Sequence, residues 1–181
     1  MKKRDKFYNN YLTKTDKRGQ GGFLGMGFGM IFSIILIIFF IVVAVIAIKY
    51  FLDFKNCSQV GIFMNDFQDR VTSVFDKQYG NVTFQGSLPT SVDYVCFIDF
   101  KKGFNGPSAD IGEELSIYQG LSNNLFIYPR GSSCDMKYKY IKNLDLDAIT
   151  KNENPYCIPN VRGNIFIRLT KNFNKPLVTA W

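Results

Sequence analysis

Histidine is absent from all 181 residues, tryptophan occurs once and cysteine four times. Without histidine, Ser-His-Asp and Cys-His nucleophile arrangements are excluded, along with the commonest metal ligand. The cysteines, Cys57, Cys96, Cys134 and Cys157, form no CxxC pair, so a structural zinc site lacks support. No cofactor is implied. Charge is missing over a long stretch: from Gly19 to Ile48, 30 residues, there is no Asp, Glu, Lys or Arg. No internal repeat is present.

That uncharged stretch sets the broad class. Its core, residues 26–48, reads MGFGMIFSIILIIFFIVVAVIAI, and about 20 apolar residues suffice to cross the hydrocarbon of a bilayer. An isolated span must be helical, because in lipid only a helix satisfies its own backbone groups. A secretory signal would have an apolar region of only about 7–15 residues and a small-residue cleavage site. Neither fits here.

Charge gives the orientation. Of the 22 Lys and Arg, seven precede Gly19 and 15 follow Ile48; of the 15 Asp and Glu, two precede and 13 follow. Basic residues beside a span mark its cytoplasmic side. The expected layout is a basic cytoplasmic tail (1–18), then a glycine-rich lead-in, transmembrane helix and short linker (19–55), then an extracellular domain (56–181). The domain is nearly neutral, so the net charge of +7 sits mainly in the tail and is not the footprint of a nucleic-acid binder. The partners expected are the lipid bilayer and an extracellular partner whose nature the sequence does not give.

Four cysteines beyond the membrane suggest two disulfides in an exported domain. Three pairings are open, and the neighbour pairing Cys57–Cys96 with Cys134–Cys157 is favoured. Asn56-Cys-Ser and Asn81-Val-Thr are acceptor triplets for N-glycosylation. Gly21, Gly25, Gly29 and Ser33 recur every four residues, a small-residue stripe that lets two membrane helices approach closely.

The domain reads as α+β. Over residues 58–78, Val60, Phe63, Met64, Phe67, Val71, Val74 and Phe75 fall at three- and four-residue steps, the pattern of an amphipathic helix. Its polar face is acidic and mixed, which suits packing on a sheet better than lying on a membrane. Strands are expected at 81–84, 91–100, 125–128, 136–146, 164–169 and 177–180, where β-branched and aromatic residues are dense. The fold class expected is therefore an N-terminal transmembrane helix, then an amphipathic helix packed on a mainly antiparallel β-sheet. Glu113 and Glu114 read as a loop and Asp145 and Asp147 as alternating along a strand, solvated faces rather than catalytic pairs. Residues 143–147 lack the spacing of a calcium loop.

A basic leader ending Lys17-Arg18-Gly19-Gln20, then an apolar helix, resembles the class III signal of archaeal type IV pilin-like proteins. That resemblance implies cleavage between Gly19 and Gln20 and a filament built on bundled helices. Five glycines in 21–29 and charge in 49–55 depart from the pattern. The segments FGMIFSIILII, YVCFIDF, LFIYP and NPYC are also similar to uncharacterised single-span membrane proteins of small-genome archaea, a likeness that implies no activity. The functions expected are, in order, a non-enzymatic surface anchor with a structural or interaction domain, a pilin-like subunit, and an extracellular enzyme.

Overall fold

Nothing between Phe51 and Gly61 breaks a helix: the segment has neither glycine nor proline, and Lys49, Asp53 and Lys55 are all tolerated at exposed helical positions. In the computed structural model, which describes residues 21–131, 136–173 and 175–181, helix α1 accordingly runs Gly21–Phe75. The expected linker before residue 56 is helical, and the helix expected at 58–78 is the last part of α1. The chain divides into two units, Met1–Ile48 and Lys49–Trp181. In the first, the described side chains of α1 are exposed throughout.

The second unit holds two antiparallel sheets. One has three strands in the order β1 (Gly80–Ser87), β6 (Asn164–Lys171), β7 (Thr179–Ala180); the other has four, β4 (Tyr138–Lys139), β3 (Leu125–Tyr128), β2 (Tyr94–Phe97), β5 (Tyr156–Pro159). In the first sheet, β6 alternates buried Ile165, Ile167 and Leu169 with exposed Asn164, Phe166 and Arg168, the mark of a sheet wet on one face. Opposite them, β1 buries Phe84 and Gly86.

The four-stranded sheet is different. Val95, Cys96 and Phe97 are all buried, as are Leu125, Phe126 and Ile127. Both faces are covered, which accounts for the continuous apolar runs YVCF and LFIY. Val95, Phe97, Leu125 and Ile127 join one core with Phe84, Ile165, Ile167 and Leu169 of the other sheet and with Val60, Phe63, Met64, Phe67, Val71 and Val74 of α1. Phe67 lies at the centre, its ring 5.2 Å from Phe84 and 5.9 Å from Phe97. Cys96 and Phe126 face the other way, into a smaller cluster with Ile98 and Leu115. Helix α2 (Ala109–Leu115) and the 3-10 turn Ser116–Tyr118 belong to this side.

Several expectations change. Glu113 and Glu114 are helical, on α2. The strand expected at 136–146 shrinks to Tyr138–Lys139. Asp145 instead caps helix α3 (Leu146–Ile149), its carboxylate accepting from the Ala148 amide at 3.0 Å, and Asp147 sits in the first turn. Aspartate at such a cap competes with strand pairing, and here the cap wins. Strand β5, Tyr156–Pro159, is not among the expected strands. It is short and ends in proline, so its sequence carries no alternation.

Candidate functional site

The largest exposed apolar surface among the described residues belongs to α1. Met30, Ile31, Phe32, Phe39 and Phe40 are each more than half exposed, and so are Tyr50, Phe51 and Phe54. By length and composition α1 contains one stretch able to cross a membrane, with a mean hydropathy of 3.5 and none of that window buried. Leaving such a surface in water costs roughly 25 cal/mol for each Å² of it.

The small-residue stripe falls on this helix. Gly21 and Gly25 are helical. A Cβ at Gly29 would meet nothing within 4 Å, and the Ser33 hydroxyl donates to the Gly29 carbonyl at 2.8 Å. That bond satisfies the hydroxyl within its own helix. Gly19 and Gln20, the expected processing position, lie outside the described residues.

The cysteine pairing corrects the expectation. Cys96 is bonded to Cys157, which rules out the neighbour pairing Cys57–Cys96 with Cys134–Cys157. The two residues face each other in register across β2 and β5, and adjacent antiparallel strands bring opposed Cα atoms within disulfide reach. Here they are 4.0 Å apart. Cys57 is also disulfide-bonded, and Cys134 lies outside the described residues. Of the two acceptor asparagines, Asn56 is half-buried on α1 beside Cys57, whereas Asn81 is exposed on β1.

One cleft of about 620 Å³ gathers polar groups, among them Asp99, Lys101, Asn123, Tyr140, Asp145 and Asp147. Its carboxylates are engaged. Asp147 Oδ1 is 2.7 Å from Lys102 Nζ, and Asp99 Oδ2 is 3.9 Å from the same nitrogen. The hydrogen bond and charge of Lys102 hold the Asp147 carboxyl below its ordinary range. Lys102 also donates to the Asp147 carbonyl and the Thr150 hydroxyl, both at 3.3 Å. Tyr128 donates to Glu114 Oε1 at 3.3 Å, and desolvation followed by the Glu114 charge raises its phenol above the ordinary value. Burial, then Glu153, does the same to Tyr156. Neither phenol faces a base and a nucleophile together. Among the described residues, no three His, Cys, Asp or Glu side chains are grouped to hold a metal ion.

The least expected polar site is Asn154. Its side chain receives the Asp99 amide at 3.0 Å and donates to the carbonyls of Asp99 and Gly103, at 2.9 and 3.1 Å. It is almost fully buried and holds the 99–105 loop to the β5 entry. No local signal marks it, because all these partners lie about 50 residues away in the chain. No protein-family model, curated protein or solved structure matches the chain.

Proposed function

We infer that the protein is a single-pass membrane protein whose α1 crosses the bilayer and holds a non-enzymatic structural or interaction domain at the outer surface. The observation that carries this reading is the apolar surface of α1 up to Ile48, uncharged and exposed wherever its side chains are described. Hydrocarbon accepts that surface at no cost, and water does not. The seven basic residues before Gly19 put the tail in the cytoplasm and residues 49–181 outside. Exposed Tyr50 suits the headgroup level where the chain leaves the lipid. Beyond it, α1 turns its Val60–Val74 side into the core and becomes an amphipathic helix packed on the sheets. The engaged carboxylates of the polar cleft favour a structural role for that cleft, so the domain acts by presenting surface. Its partners are the bilayer, further copies through the membrane helix, and an extracellular molecule; nucleic acid is not among them. Protease added to intact cells tests the topology. It should digest the domain and spare an N-terminal tag, whereas loss of the tag with the domain protected would reverse the orientation.

A second reading has its own support. An apolar helix that continues into a core-packed segment ahead of a disulfide-bonded β domain fits a pilin-like subunit processed between Gly19 and Gln20. The mature N-terminus separates the two. Protein from its native cell should begin at Met1 for a resident anchor and at Gln20 for a processed subunit.

A further inference from the structure

The four sheet edges are unequal. Edge strands β4 and β7 are two residues long, and β5 is four residues ending in Pro159. Short strands and proline are the usual means of discouraging another chain from adding to an edge. Edge strand β1 has neither: GNVTFQGS is eight residues with no charge and no proline.

Its bonding groups are open. Arg168 exchanges both main-chain bonds with Trp181, at 2.9 Å each, so its groups are turned toward the β7 side. Thr83, opposite Arg168 in register, therefore sits in a non-hydrogen-bonded pair and aims its own N–H and C=O away from β6. By the two-residue period of a strand, Asn81 and Gln85 do the same. These residues also expose their side chains. Among the described residues, the one long unguarded edge is thus where the Asn81-Val82-Thr83 triplet lies, with both of its functional side chains on the exposed face.

We propose that Asn81 is the N-glycan acceptor of this protein and that its glycan guards the β1 edge. The inference rests on the extracellular placement of the domain. Transfer joins Asn81 Nδ2 to the anomeric carbon of a lipid-linked oligosaccharide diphosphate. The carbon–oxygen bond to the diphosphate breaks, the lipid diphosphate leaves, and the amide proton passes to a base of the membrane transferase. Asn56 is the poorer acceptor, half-buried in α1 next to disulfide-bonded Cys57. A bulky, hydrated sugar at Asn81 denies the edge to a second strand as lysine or proline does elsewhere.

The test is mass spectrometry of peptides from full-length protein taken from its native membrane, with protease accessibility measured on the same cells. A saccharide increment on the Asn81 peptide and none on the Asn56 peptide is expected. Thr83→Ala should abolish the increment and Thr83→Ser should keep it. Glycan-free Asn81→Gln protein should self-associate severalfold more than wild type by light scattering in detergent, and Asn81→Gln/Gln85→Lys should reverse that gain. A domain accessible from outside with bare Asn81 overturns the inference and leaves the topology standing; a domain shielded inside overturns both. A glycosylated Asn81 whose loss leaves association unchanged overturns the guarding role.

Discussion

Asn154 shows how much one buried amide can carry. Replacing it with alanine leaves the Asp99 amide and the Gly103 carbonyl without their partner, while the Asp99 carbonyl keeps the Lys102 amide. Each buried group so orphaned costs about 1–3 kcal/mol. Asn154→Ala is therefore expected to lower the unfolding free energy by at least about 2 kcal/mol, as urea denaturation of the domain would read; an unchanged midpoint would mean that water replaces the amide. Asp147 acts through charge and is far weaker, being fully solvent-exposed. Its folded pKa lies below the ordinary 3.8 because of Lys102. The carboxylate therefore contributes stability above pH 3.8, and that contribution fades as pH falls through the lower folded value. Asp147→Asn should be slightly less stable than wild type at neutral pH, and the difference should fade as the pH is taken below 3.8, a comparison for parallel denaturant titrations.

At the scale of elements, α1 has two surfaces with opposite demands. The Phe67 ring fills the space between β1 and β2, and its removal leaves a cavity bounded by two sheets that are each tied elsewhere. Phe67→Ala is expected to cost about 3–5 kcal/mol, measured by thermal or denaturant unfolding. A loss below 1 kcal/mol would show that the core collapses around the gap. For the membrane span we propose, the demand is for smallness. Gly25→Ile/Gly29→Ile keeps the span at least as hydrophobic, so insertion should survive while close helix approach is blocked. Crosslinking of the isolated span in membranes should then fall well below wild type. Equal crosslinking would leave the glycine stripe without a role in association.

For the whole molecule, the Cys96–Cys157 bond joins segments 61 residues apart. On the chain-entropy account, closing a loop of that length in the unfolded chain is worth about 4 kcal/mol. Cys96→Ser/Cys157→Ser should lower the stability by roughly that amount. A non-reduced peptide map of native protein should contain the Cys96 and Cys157 peptides linked to each other. Finding Cys96 joined to Cys57 would refute the arrangement of β2 beside β5. The bond also marks how sheet order and covalent topology agree, since β5 is the last strand on its side of the sheet.

Much of this protein is legible along the chain because the relevant physics is local. An uncharged stretch of 30 residues, the imbalance of basic residues around it and the three- and four-residue spacing of Val60 to Val74 each depend only on near neighbours. So does the strand at Leu125–Tyr128, whose expected bounds and observed bounds coincide. Other features needed the fold. A single sheet was expected, yet β1 pairs with β6, some 80 residues on, while β2, β3, β4 and β5 form a second sheet. Strand partners are chosen by which buried faces meet, and no local pattern encodes that choice. The same holds for Cys96 opposite Cys157, for Asn154 beneath the 99–105 loop, and for the difference between Asn56 and Asn81. Two acceptor triplets are equivalent as letters. Packing of α1 and the open edge of β1 make them unequal, because exposure is a property of the assembled surface and not of the residues that carry it.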